Sequence, residues 1–139
     1  MPLHMIKLCV GVSEISRLAA FQKRRLEREG RVFHVTRMTP RRAAELLDGG
    51  SLYWVMAGMI MARQRITAIE PFADEEGVRR CRLILDPVLA PVVPQPRKAF
   101  QGWRYLKPQD APADLERAAH DGEAPPEDMR RDLGDLGLI

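Results

Sequence analysis

The chain has 139 residues, of which 45% are hydrophobic and 29% are charged, as is typical of an ordinary globular domain. Two cysteines are too few for a disulfide framework, and no internal repeat or low-complexity tract is visible. Residues 1–107 carry nineteen basic and ten acidic side chains, whereas residues 108–139 carry three and nine. We therefore predict one globular domain with a basic surface over residues 1–107, which suggests a polyanionic partner, and an acidic, partly helical or extended tail over residues 108–139.

The chain begins with a predicted strand and a predicted helix. Alternation indicates a strand over residues 3–10, in which His4, Ile6, Leu8 and Val10 lie on one face and Lys7 on the other. Apolar residues at helical spacing predict a helix over residues 13–29, with Ser13 as its N-cap and Gly30 at its end.

A second strand and helix follow at once. Alternation predicts a strand over residues 31–38. Thr39 then fits as an N-cap and Pro40 as the first residue of a helix over residues 40–48, because proline needs no amide hydrogen there. Two glycines, at positions 49 and 50, end this helix.

From Ser51 onward the apolar period changes from helical to two, which indicates strands. The predicted strands cover residues 51–57, 59–72, 78–85, 88–96 and 100–107. A polar turn over residues 74–77 makes the second and third of them a hairpin. Prolines confine the fourth to a sheet edge or an extended loop, and we expect the fifth to pair within the sheet.

This order of elements predicts the α+β class. We expect a strongly curved, mostly antiparallel sheet, or a small open β-barrel, flanked by two helices. A flat sheet with both helices on one face is the alternative.

The sequence also indicates where the protein resides. The longest apolar run, residues 52–62, is too short to span a bilayer, and we expect no signal peptide at the N-terminus. Cys9 and Cys81 lie in apolar strand-like runs, which favours buried free thiols in a reducing compartment. We predict a cytoplasmic protein without a membrane partner.

Several segments occur together in an order that resembles a small family of alphaproteobacterial proteins of unknown function. The segments are LHMIKLCVG at residues 3–11, HVTRM at 34–38, LLDGGSLYWV at 46–55, ARQRI at 62–66, LDP at 85–87 and FQGWRYL at 100–106. The resemblance covers roughly residues 1–115. It implies no established activity and no catalytic residue.

The order of elements and the basic hairpin also resemble the PUA-like barrels, including the ASCH and EVE types. These are small curved barrels with helices packed beside them, and many of them bind RNA or modified bases. The resemblance implies a PUA-like fold and, by analogy of fold alone, an RNA-binding role.

The first candidate site is a group of arginines on the predicted hairpin. Arg63 and Arg65 share one face of a strand, and Arg80 and Arg82 share one face of its partner. If the register places the pairs opposite each other, four guanidinium groups crowd one surface, and a phosphate backbone relieves their repulsion. The alternative is a solvated face whose charges are paired with nearby acidic residues and with the tail.

The second candidate site is the aromatic segment near the end of the predicted domain. Trp103 and Tyr105 share a strand face with Lys107, and Arg104 lies between them on the other face. Flat rings beside cations can stack on a base and hold a phosphate. The alternative is that both rings belong to the core and that their polar tips reach partners.

These features support three hypotheses about function. The first is an RNA- or nucleotide-binding module that uses both candidate sites, and the second is a protein-interaction or self-association module, such as a homodimer, with the acidic tail as docking element. The third is an enzyme that acts on a nucleotide-like ligand, although no catalytic motif is visible. No histidine or cysteine pair has the local spacing of zinc ligands, so we predict neither a metal nor a cofactor.

Overall fold

A computed structural model describes residues 2–9, 11–98 and 100–115, so most of the predicted acidic tail lies outside the described residues. The described part contains seven strands, two α-helices and a short 3-10 helix. In chain order they are β1 (His4–Leu8), α1 (Ile15–Glu29), β2 (Val32–Thr36), α2 (Ala43–Leu47), β3 (Ser51–Met56), β4 (Met59–Ala73), β5 (Arg79–Leu85), β6 (Ala90–Pro96), β7 (Trp103–Leu106) and the 3-10 helix Pro108–Asp110. Every predicted strand and helix is present, generally with shorter bounds.

The strands form one sheet in the order β2-β5-β4-β3-β1-β7, and β6 pairs with the first part of β4. Among the described strands only β1 and β3 run parallel, and the other pairs are antiparallel. Register shifts interrupt the pairing of β4 with each of its three partners, and such irregularities bend a strand and increase its twist. The predicted α+β class and the curved, mostly antiparallel open sheet with two helices are thus confirmed.

Because the sheet curves, its two end strands approach each other. Val35 on β2 and Trp103 on β7 line the same cavity, although four strands separate β2 from β7 in the sheet. We call the opening between β2 on one side and β1 with β7 on the other the seam. The predicted return of the last strand into the sheet is confirmed, since β7 pairs with β1.

The start of the second helix was predicted wrongly. Thr39 and Pro40 precede α2, which begins only at Ala43. The local signal is overridden by tertiary contacts, because the carbonyl oxygen of Met38 and the amide of Arg42 both bond to side chains of β7. Similarly, α1 starts at Ile15, after Glu14 rather than after an N-cap at position 13, and no side chain caps it.

The predicted end of the second helix is confirmed, and its cause is a close approach of backbone atoms. The amide of Gly50 donates to the carbonyl oxygen of Leu46 at 2.8 Å. A Cβ atom on Gly50 would meet the carbonyl oxygens of Leu46 and Leu3. Only glycine therefore lets α2 end directly beside the chain that enters β1.

The two faces of the sheet carry two hydrophobic clusters. The cluster under the helices contains side chains such as Met5, Leu18, Leu46 and Leu83. The opposite face has a smaller cluster around Ile6, which packs beneath β6 and the chain after β7. The described chain stays in contact with the body to its end, since Leu115 is buried.

A network of buried polar side chains fixes α1 on the sheet. Gln64 on β4 is 1% exposed, and its amide exchanges two hydrogen bonds of 2.7 Å with the amide of Gln22 on α1. Its oxygen also accepts from the indole N–H of Trp54 at 2.9 Å, and its nitrogen donates to the carbonyl oxygen of Asp86 at 3.0 Å. All four hydrogen-bonding positions of this carboxamide are therefore used.

Replacing Gln64 by Leu leaves Gln22 and the Trp54 indole without partners in the interior. We expect the free energy of unfolding to fall by about 3 kcal/mol, because unpaired buried polar groups retain their full desolvation cost. Urea denaturation measures this change. The exposed Gln101→Leu substitution is the control and should change the free energy by less than about 0.5 kcal/mol. Equal effects of the two substitutions would contradict the structural role of the network.

Candidate anion-binding site

Two adjoining cavities open in the seam. The α1 cavity has a volume of about 300 Å³ and lies between α1, β1, β2 and β3. The β7 cavity has a volume of about 640 Å³ and lies between β1, the end of β2 and β7. Lys7 and Val35 line both cavities, so the two volumes meet at these side chains.

The charged residues that line the two cavities are all cationic. Lys7 and Arg25 line the α1 cavity, and Lys7, Arg37, Arg80 and Arg104 line the β7 cavity. No aspartate or glutamate lines either cavity among the residues that the structure describes. Such a concentration of one sign of charge raises the local concentration of anions.

Lys7 occupies the central position between the cavities. In the register of the sheet it is paired with Trp54 on β3 and with Trp103 on β7. Paired residues on neighbouring strands share a face, so two indoles flank the lysine side chain. Burial lowers the pKa of Lys7 below its usual value, and the nearby Cys9 thiol opposes this in part.

His34 forms the wall of the α1 cavity beneath Trp54. The two rings meet edge to face, with centroids 5.2 Å apart. Burial lowers the pKa of His34 to about 4, and the positive charges of Lys7 and Arg25 add to the effect. The imidazole is therefore neutral at neutral pH, and its Nε2 atom is buried without a hydrogen-bond partner within the described protein.

Arg25 projects from α1 toward the same cavity. One terminal nitrogen donates to the carbonyl oxygen of Phe33 at 2.7 Å. The guanidinium carbon lies 4.7 Å from the centroid of the Phe33 ring and 5.5 Å from that of Phe21. These contacts hold the guanidinium in place. Its Nε atom is buried and makes no hydrogen bond, and the carboxylate of Glu29, its ion-pair partner, lies 3.8 Å from Nε.

The three arginines of the β7 cavity differ in how they are held. Arg80 donates from Nε to Asp74 at 2.7 Å, and Arg104 donates to the carbonyl oxygens of Gln101 and Trp103 at 2.7 and 3.0 Å. Arg37 is exposed and has no side-chain partner among the described residues. The cavity thus combines positioned cations with a free one.

The predicted arginine cluster does not form on the hairpin, because the register differs from the one it required. The turn pairs the residue before Asp74 with Arg79, so Arg82 lies opposite Glu70 and Arg80 opposite Phe72. The first part of β4 pairs instead with β3 and β6, and Arg65 lies beside the end of β5, so Arg63 and Arg65 are distant in register from Arg80 and Arg82. The four arginines therefore lie at separate places along the sheet.

Carboxylates pair with three of these four arginines. Arg63 makes two hydrogen bonds of 2.6 and 2.7 Å to Asp114, and Arg80 bonds to Asp74. Arg82 lies 3.6 Å from Glu70, and its guanidinium carbon is 4.3 Å from the centroid of the Phe72 ring. Arg65 is exposed on β4 and has no such partner among the described residues.

The two predicted aromatic residues have different surroundings. Both rings are half-buried, and their centroids are 5.0 Å apart. The hydroxyl of Tyr105 accepts from the amide of Arg42 at 3.1 Å, as expected for a packed ring whose polar tip finds a partner. The indole of Trp103 donates to Met38 at 3.2 Å and lines the β7 cavity, whereas Lys107 is exposed and lines neither cavity.

Of the predicted site residues, Arg80, Trp103 and Arg104 line the β7 cavity, whereas the cations Lys7, Arg25 and Arg37 were missed. Lys7 carried a usable signal, because it is the only charged residue within an otherwise apolar strand. Arg25 is one of several cations on α1, and Arg37 follows β2 without any distinguishing pattern. Their proximity depends on the curvature of the sheet, which no local pattern reports.

The chain is thus an α+β protein with a curved open sheet and a cationic seam. It belongs to the family described as "Protein of unknown function (DUF1489)", whose model matches residues 5–139. This confirms the resemblance to a family without an established activity. No curated protein and no solved structure matches the chain, and the resemblance to PUA-like barrels is not confirmed. None of the described helices has the length and apolar character needed to cross a membrane.

The depressed pKa of His34 predicts a pH-dependent stability. Between pH 6.5 and about 4 the unfolded chain binds a proton at this residue that the folded chain does not. The contribution of His34 to the free energy of unfolding is therefore complete above pH 6.5 and is lost as the pH falls to about 4. The full loss is on the order of 3 kcal/mol. His34→Phe keeps a ring against Trp54, and we expect its urea midpoint to fall less steeply than that of the wild type over this range.

The other acid-sensitive groups remain the same in both proteins. In particular, burial and the charge of Arg63 also lower the pKa of His4, so part of the pH dependence persists in the variant. Identical slopes for wild type and His34→Phe would show that His34 is not held neutral.

Proposed function

We propose that this protein binds RNA or a nucleotide, with the phosphate in the β7 cavity. The observation that carries the proposal is that four cations and one indole line a single cavity, without a carboxylate among the described lining residues. A volume of about 640 Å³ suits a ligand of nucleotide size. The ligand class is the one that the composition of the chain suggests, and of the predicted hairpin cluster the proposed site keeps Arg80 but not Arg63, Arg65 or Arg82.

The individual side chains support complementary roles. Arg37 has no partner to give up, so it is available to a phosphate. Lys7 lies between two indoles, where an ammonium group is partly removed from water and attracts an anion more strongly. Arg80 is already oriented by Asp74, so it loses little freedom when a ligand binds.

Trp103 supports the aromatic part of the proposal. Its N–H is bonded to the carbonyl oxygen of Met38 and its ring meets Tyr105 edge to face, so its orientation is fixed before a ligand arrives. A fixed indole provides a stacking surface for a base or a sugar. The self-association and enzymatic hypotheses remain predictions, because no contact among the described residues favours either of them over binding.

The binding hypothesis is tested with nucleoside monophosphates and a labelled single-stranded RNA of mixed sequence. We expect binding at about 50 mM salt that weakens steeply as the salt concentration rises, since phosphate contacts release counterions. Lys7→Gln and Arg37→Gln should each raise the dissociation constant about tenfold, as for the loss of a hydrogen bond between charged groups. Titration calorimetry for the monophosphates and fluorescence anisotropy for the RNA measure these changes.

Arg65→Gln is the matched control, because it removes the same charge from an exposed position that lines neither cavity. It should change the dissociation constant by less than about twofold. An effect equal to that of Arg37→Gln would place binding on a broad surface rather than in the seam. Absence of binding at low salt would refute the proposed function.

A further inference from the structure

Two residues that line the α1 cavity each have a buried side-chain nitrogen that makes no hydrogen bond. Arg25 Nε and His34 Nε2 are the buried side-chain nitrogen or oxygen atoms of the described residues that make no hydrogen bond. Both residues line this one cavity. Buried polar groups nearly always make a hydrogen bond in folded proteins, and the Glu29 carboxylate, 3.8 Å from Arg25 Nε, is too far away to provide one. Two such nitrogens in residues of one cavity wall therefore indicate a hydrogen-bonding partner that the described chain does not supply.

The shape of the cavity narrows the class of that partner. Aromatic rings of Trp54, Phe33 and Phe21 stand in its wall together with apolar side chains such as Leu18. The volume of about 300 Å³ is smaller than that of the β7 cavity and suits a single planar ring system rather than a complete nucleotide. A flat, largely apolar guest with a polar edge satisfies both the rings and the nitrogens.

The polar groups in the wall specify what that edge must carry. Arg25 Nε donates only, and the bond to the Phe33 carbonyl oxygen keeps the guanidinium from turning away, so the guest must present an acceptor there. His34 is neutral, and its Nε2 either accepts or donates according to the tautomer. Gln22 also lines the cavity, but its amide is committed to Gln64 and does not select a guest.

The position of the cavity connects it to the phosphate site. Lys7 and Val35 belong to both walls, so a ligand with its phosphate beside Lys7 in the β7 cavity can place its next chemical group at the entrance of the α1 cavity. In a nucleotide that group is the sugar, followed by the base.

We propose that the α1 cavity is a base pocket, which holds one unstacked nucleobase with a ring or carbonyl acceptor facing Arg25 Nε and its edge against His34 Nε2. This inference rests on the proposed function, because the phosphate of the same nucleotide occupies the β7 cavity. It goes further in assigning the part of the ligand that is recognised and the residues that recognise it.

Titration calorimetry with the four nucleoside monophosphates, ribose 5-phosphate and the uncharged nucleosides tests the pocket. We expect at least one nucleotide to bind about tenfold more tightly than ribose 5-phosphate, as for one additional good hydrogen bond with ring contacts. Val12→Trp fills the α1 cavity from the loop before α1 and should abolish this difference. Binding of ribose 5-phosphate should stay unchanged in that variant.

A second pair of variants tests the two nitrogens without filling the cavity. His34→Phe removes Nε2 but keeps a ring against Trp54, and Arg25→Lys keeps the charge but removes the Nε donor. Each should reduce the preference for the nucleotide over ribose 5-phosphate about fivefold. Arg24→Lys is the matched control at an exposed position of the same helix and should leave the preference unchanged.

The outcomes separate the pocket from the phosphate site. If nucleotides bind no more tightly than ribose 5-phosphate, or if Val12→Trp leaves the difference intact, the base pocket is refuted while the phosphate site stands. If nucleosides bind and lose affinity in Val12→Trp, but ribose 5-phosphate does not bind, the pocket stands and the phosphate site fails. If none of the probes binds the wild type, both proposals are wrong.

Discussion

The position of α1 depends on one buried carboxamide. Gln64 uses both lone pairs and both amide hydrogens to join α1, β3, β4 and the chain that leaves β5. Such a network stabilises the fold only when every member is satisfied, which fixes the rotation of the helix about its axis. With Gln22 held inward, Arg25 lies on the same side of α1 three residues later and meets the seam. The wall of the α1 cavity is therefore a consequence of the contact that packs the helix.

Lys7, Arg37 and Arg104 in the seam have no carboxylate partner among the described residues, whereas Arg80 bonds to Asp74 and Arg25 lies 3.8 Å from Glu29. Asp74, Glu70 and Asp114 each pair with an arginine on β4 or β5, or on the chain that leads into β2, and none of them lines the two cavities. Lys7 and Arg25 in turn help to keep His34 neutral. A protonated imidazole would add a further like charge to a partly dehydrated site, so the cations themselves preserve a neutral hydrogen-bonding group between them.

The sequence predicted the elements better than it predicted their relations. Apolar period and the glycines at element ends indicated every strand and both helices, since these are local signals, whereas the predicted caps misplaced both helix starts. The position of the turn that begins at Asp74 sets the register of the hairpin and thereby places Glu70 opposite Arg82. The separation of the four hairpin arginines follows from that register. The seam is different, because Lys7 and Arg37 are thirty residues apart and meet only through the curvature that the register shifts in β4 produce. Curvature of this kind arises from packing across the whole sheet, and no short segment reports it.

The seam is open because side chains, rather than a ladder of backbone hydrogen bonds, join its two sides. Trp103 donates to the carbonyl oxygen of Met38, and Tyr105 accepts from the amide of Arg42. A backbone ladder would bring the strands to about 5 Å and close the barrel, whereas aromatic side chains hold them farther apart and leave room for a cavity. The two aromatic residues on this face of β7 therefore have different roles, Tyr105 in the fold and Trp103 in the proposed site. Tyr105 ties the chain after β2 to β7, and Trp103, two residues earlier on that face, remains at the edge of the β7 cavity as a fixed surface for a ligand.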